Sequence, residues 1–130
     1  MFCKEWFGAP NCHFKYEVKW RPGPNIPVYR DEEMVGRYYE EFGININTGV
    51  SNYTQELLKH VLEFINRNET SPYFLYWAPD STHAPSYSSE KFVGRSLRSS
   101  YYGDAVMELD WAVGQILELV RNKKRFVCSL

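Results

Sequence analysis

The chain has 130 residues, 44% of them hydrophobic and 24% charged, with a formal net charge of −1. That composition belongs to a folded globular chain of about one domain and excludes a disordered one. A near-neutral balance supplies no basic field for nucleic acid, and no apolar run approaches the roughly 20 residues of a membrane helix, so neither partner is expected.

Residues 1–50 read as loop-rich. Pro10, Pro22, Pro24 and Pro27 recur too closely for a helix to persist in the first 30 residues. The aromatics Trp6, Phe7, Phe14, Tyr16 and Trp20 have no element of their own to bury them, so this segment is expected to pack on something larger. Met34 to Phe42 suits a short strand or a turn of helix, Asp31-Glu32-Glu33 a solvated turn, and Gly43 to Gly49 a polar connection.

Residues 51–120 carry the regular pattern: helix, strand, loop, helix. Leu57, Leu58, Val61, Leu62 and Ile65 form one helical stripe, with Gln55, Glu56, Lys59, Glu63 and Arg67 opposite. Asn52 and Gln55 resemble a capping box at its start. Tyr73 to Ala78 is an unbroken apolar run between Pro72 and Pro79, which predicts a strand buried on both faces, as in a parallel sheet flanked by helices. Ligand sites of open α/β sheets lie beyond the carboxyl ends of such strands. At that end stand Asp80, Ser81, Thr82 and His83, which makes His83 the best candidate site residue. A loop rich in Ser, Gly and Arg, with Phe92 in it, leads to the second helix. There Ala105, Val106, Leu109, Val113, Ile116, Leu117 and Val120 recur at three and four. Asp104 and Glu108 near its start and Arg121, Lys123, Lys124 and Arg125 after its end suit the helix dipole. One convincing strand is too little for a parallel sheet, so the chain reads as a piece of a larger α/β domain, with residues 121–130 a divergent tail.

Cys3, Cys12 and Cys128 are odd in number and lack zinc-like spacing, so free or buried thiols are expected, and Cys12-His13 is not read as a metal site. His13 is assigned a structural role and His60 a place on the helix border. Met1 is followed by neither a basic stretch nor a long apolar core, so no secretory signal is read. Two glycosylation sequons, at Asn52 and Asn68, point to the secretory pathway all the same. An aromatic content of 17% also admits a carbohydrate-binding module, which would need aromatics aligned on one exposed face; the apolar spacing points most of them inward instead.

Five blocks in order resemble the sulfatases: E-W-F-G-A-P-N-C-H-F (Glu5 to Phe14), P-N-I-P-V-Y-R-D (Pro24 to Asp31), E-M-V-G-R-Y-Y-E-E-F (Glu33 to Phe42), F-L-Y-W-A-P-D-S-T-H-A-P (Phe74 to Pro85), and Y-G-D-A-V-M-E-L-D with V-G-Q-I-L-E-L (Tyr102 to Leu119). The resemblance implies an α/β fold of the alkaline-phosphatase-like kind, of which this chain is an internal part of the large catalytic domain. It also implies a lysosomal, homodimeric glycoprotein hydrolase that removes 6-sulfate from N-acetylgalactosamine or galactose in chondroitin and keratan sulfate. By the same resemblance His83, in T-H-A-P, contacts the sulfate ester as a catalytic and substrate-binding residue, and Asn52 matches a family glycosylation site. The family's formylglycine nucleophile, made from the Cys of C-x-P-S-R, and its Ca²⁺ ligands, from D-D and D-N-G, have no counterpart here. G-K-W-H-L-G would fall just before residue 1, and R-N-K-K-R-F-V-C-S-L departs from the family pattern. The 130 residues alone are therefore expected to be inactive. The alternative is a non-catalytic truncated product that serves as an interaction module or has no function.

Overall fold

A computed structural model describes residues 7–8, 25–45, 47–68, 71–83 and 86–123. The expectations for the three cysteines, His13, most of the first 24 residues and the tail from 124 lie outside these residues, as do Glu69 and Thr70 of the second sequon and Ala84-Pro85 after His83.

A small antiparallel sheet comes first; its third strand falls where the sequence admitted a short strand or a turn of helix, and its first two in segments read as loop. Strands β1 (Phe7–Gly8), β2 (Pro27–Arg30) and β3 (Glu33–Arg37) lie in that spatial order. Pro27 opens β2, at a sheet position where its missing N–H is not needed. The Asp31-Glu32 turn joins β2 to β3, pairing Arg30 with Glu33, and Asp31 takes a left-handed φ of 53°, which its short side chain tolerates. Residues 31–34 are exposed, as expected of a solvated turn. A bulge between Val28 and Tyr29 leaves Val28 fully buried.

Helix α1 (Tyr53–Arg67) contains no Gly or Pro and buries Tyr53, Thr54, Leu58, Val61 and Ile65, much of the expected stripe. Its end is closed by Asn68, whose backbone N–H and Nδ2 both donate to the carbonyl of Phe64, at 3.2 and 2.8 Å. The capping box at the other end does not form. Asn52 occupies the N-cap with φ −90° and ψ 7°, and its side chain accepts no capping hydrogen bond. Gln55 reaches across to Glu108 and Ser89 instead.

Helix α2 (Tyr101–Asn122) begins at Ser100, whose Oγ accepts the Gly103 N–H at 3.1 Å. Its buried face is Asp104, Ala105, Glu108, Ala112 and Val120. Val106, Val113 and Leu117, which the spacing had turned inward, lie outward. The two acids near the helix start, which suit its dipole, have a further task. They are buried because they hold loop backbone: Asp104 accepts N–H groups of Gly94 and Ser96, and Glu108 that of Ser89, each at 2.8 Å.

Two apolar clusters result. Ile26, Val28, Tyr38, Ile44, Tyr53 and Tyr87 join the sheet, the start of α1 and the segment after His83. Val61, Ile65 and Val120 join the two helices, and Tyr73, Leu75 and Trp77 pack against them. Burying one side chain such as Ile65 contributes about 1.5–3 kcal/mol.

That second cluster corrects the reading of the apolar run. Tyr73–Ala78 belongs to no β-ladder among the described residues, and its burial alternates. Tyr73, Leu75 and Trp77 face the helices, while Phe74 and Tyr76 are 77% and 80% exposed. The helices cover only one side of the run, so only one face is buried. The expected strand of a βαβ unit thus does not form among the described residues, and two aromatics share an outward face that the sequence had turned inward.

Candidate active-site turn

The residues after the apolar run form a tight turn whose grip is the best-built polar feature near His83. The backbone N–H of His83 donates to the Asp80 carbonyl at 2.8 Å, which closes Asp80 to His83 as one turn. The returning chain holds the turn from beneath: Tyr87 N–H donates to the Ser81 carbonyl at 3.2 Å, and Ser86 Oγ reaches the Thr82 carbonyl at 3.5 Å. Ser81 is fully buried, whereas His83 stands exposed at the rim.

The Asp80 carboxylate is clasped on both oxygens. Tyr38 Oη donates to Oδ2 at 2.7 Å and Tyr87 Oη to Oδ1 at 2.5 Å. The ring of Tyr53 packs between, with centroids 5.2 Å from Tyr38 and 6.4 Å from Tyr87, and Phe42 meets it edge-on at 5.0 Å. Burial first, and the Asp80 charge second, push the hydroxyls of Tyr38, Tyr53 and Tyr87 up from the ordinary tyrosine range. Tyr38 and Tyr87 are thus held as protonated donors at neutral pH. Asp80 was visible in the sequence as part of a polar cluster, but its tyrosine partners were not. Tyr87 lies only seven residues on and closes the P-D-S-T-H-A-P-S-Y string; Tyr38 is 42 residues away, with no local signal.

The other candidates sit apart from the turn. His60 lies on α1, with Arg30 Nη2 at 2.6 Å from Nδ1 and Glu63 at 3.7 Å. Burial and the Arg30 charge together lower its pKa, so it links β2 to α1 as a neutral acceptor, in line with a border residue. Asn52 is exposed at the N-cap of α1, open to a glycan. Asn68 is half-buried, with its amide engaged by Phe64. Among the described residues no three His, Cys, Asp or Glu side chains cluster to hold a metal ion. A hard cation such as Ca²⁺ takes six to eight oxygen ligands, so these residues do not fit one by themselves.

The sulfatase family model matches residues 2–127. The chain belongs to the sulfatase family. It is 59% identical over 121 residues to the N-acetylgalactosamine-6-sulfatase of Rattus norvegicus, a match covering 91% of this chain and 22% of that protein. The N-acetylgalactosamine-6-sulfatase of Homo sapiens is 59% identical over 120 residues, with the same coverage. The steryl-sulfatase of Homo sapiens is more distant, 44% identical over 69 residues, which is 53% of this chain and 12% of that one. This sulfatase chain therefore spans a little over a fifth of the length of these two N-acetylgalactosamine-6-sulfatases. No helix in its described part is long and apolar enough to cross a membrane.

Proposed function

We propose that this sequence is the His-bearing segment of a sulfuric ester hydrolase that removes 6-sulfate from N-acetylgalactosamine or galactose units of chondroitin and keratan sulfate. The observation that carries the reading is an exposed His83 on a braced turn, within a stretch 59% identical to two N-acetylgalactosamine-6-sulfatases. In the reaction, water and the sulfate ester give free sulfate and the sugar alcohol. The leaving oxygen must gain a proton, and His83, as the imidazole at the rim, binds the sulfate and donates or steers that proton. Formylglycine and Ca²⁺ would be supplied by parts of the polypeptide beyond these 130 residues.

The same reading takes the whole protein to be a lysosomal homodimer with an alkaline-phosphatase-like α/β fold, glycosylated at Asn52 and Asn68. The exposed N-cap supports Asn52 more strongly than the engaged amide supports Asn68. A second reading, a non-catalytic product, draws on the absence of C-x-P-S-R from the sequence.

The test measures turnover of a fluorogenic 6-sulfated galactoside by the full-length polypeptide carrying this sequence and by residues 1–130 alone. The full-length form is expected to hydrolyse the ester and the 130-residue chain not to. His83→Ala should lower kcat by about 10²–10⁴-fold, the usual contribution of a positioned proton donor. A full-length polypeptide without activity, or an unaffected His83→Ala enzyme, would refute the enzymatic reading.

A further inference from the structure

The clasp on Asp80 is heavier than a surface turn requires. Turns of this size close through one backbone hydrogen bond and polar side chains in water. Here, buried tyrosines from two distant parts of the chain converge on one carboxylate: Tyr38 follows β3 and Tyr87 lies on the segment after the turn. Both hydroxyls donate to an acceptor that carries a charge, the stronger kind of hydrogen bond. Tyr53, from the start of α1, fills the space between their rings. The turn it braces is the one that carries His83, through the bond from His83 N–H to the Asp80 carbonyl.

We propose that Asp80 is the positioning residue of the site: clasped by Tyr38 and Tyr87, it fixes the Asp80–His83 turn and so the place of the His83 imidazole. The structural part stands on geometry alone, and the consequence for turnover rests on the role of His83 proposed above. An imidazole that must meet a leaving oxygen gains from a fixed backbone, since misplacement by about 1 Å can cost on the order of 10²-fold in rate. Burial and the neighbouring carboxylate hold both tyrosine donors protonated through the pH range in which a histidine titrates.

The experiment compares wild type, Tyr38→Phe, Tyr87→Phe and the double variant of the full-length polypeptide, with Tyr39→Phe as control. Hydrogen exchange is followed in peptides covering residues 80–87 and in α2. Loss of one charge-assisted hydrogen bond is expected to speed exchange at the His83 amide by about 10–100-fold, with α2 unchanged. On the fluorogenic 6-sulfated galactoside, kcat should fall at least about tenfold with KM little moved, and Tyr87→Phe should add nothing in a His83→Ala background. Unchanged exchange at His83, or equal acceleration in α2, overturns the proposal. Should the double variant unfold, Tyr38→Phe alone, which leaves Tyr87 in place, decides it. If the wild type turns over no sulfate ester, the enzymatic reading fails while the exchange measurement still judges the clasp.

Discussion

Replacing Asp104 by Asn tests how the loop after the Asp80–His83 turn is fastened to α2. The buried carboxylate accepts Gly94 N–H on Oδ2 and Ser96 N–H on Oδ1, both at 2.8 Å. Asparagine keeps the shape but exchanges one acceptor oxygen for an NH₂ group, so one of the two amide donors then faces another donor. A lost hydrogen bond to a charged group costs about 1.5–3 kcal/mol. Removing a negative charge from the first turn of a helix adds about 0.3–1 kcal/mol. The expected destabilisation is about 2–4 kcal/mol, read as a shift in urea midpoint at constant slope. The acid dependence supplies a second, independent check. Burial by itself would raise the Asp104 pKa, but the hydrogen bonds from Gly94, Ser96 and Arg95 together offset it and hold the carboxyl below its ordinary value. A depressed folded pKa means stability that is fully present above the unfolded pKa of about 3.9 and lost as pH falls through the folded value. The gap between wild type and Asp104→Asn should therefore be whole at neutral pH and narrow below about pH 4. A gap under about 0.5 kcal/mol at pH 7, the range of an ordinary surface substitution, would refute the anchoring role. So would a gap of constant size in acid.

Ser100→Ala removes the N-cap acceptor of α2 and should cost about 1 kcal/mol in the same denaturation assay. Gly49→Ala should cost more, about 1–3 kcal/mol: φ is +66°, and a Cβ there would lie 2.6 Å from the ring of Tyr101. For the 130-residue chain by itself, Phe74→Ser with Tyr76→Ser should leave the unfolding free energy within about 0.5 kcal/mol of wild type, because both side chains face outward. Static light scattering should show less self-association of that double variant, since an exposed apolar face is removed.

Periodicity located both helices from the sequence because an amphipathic stripe is a local property, written in residues three and four apart. α1 matched its stripe over Leu58, Val61 and Ile65, and family likeness was legible because five blocks kept their order. Where a helix turns its face was less legible. In α2 the hydrophobic rule pointed to Val106, Val113 and Leu117, whereas the buried face carries Asp104 and Glu108, whose carboxylates answer loop amides that no local pattern announces. The apolar run from Tyr73 to Ala78 likewise told of hydrophobic surroundings but not of their number. Alternation is invisible when every residue is apolar, so only the packing of α1 and α2 decided that Tyr73, Leu75 and Trp77 turn inward and Phe74 and Tyr76 outward. His83 could be picked out by its neighbours in sequence. The clasp beneath it joins Asp80 to a tyrosine 42 residues away, and a contact of that separation exists only once the sheet, the start of α1 and the returning chain have closed on one another.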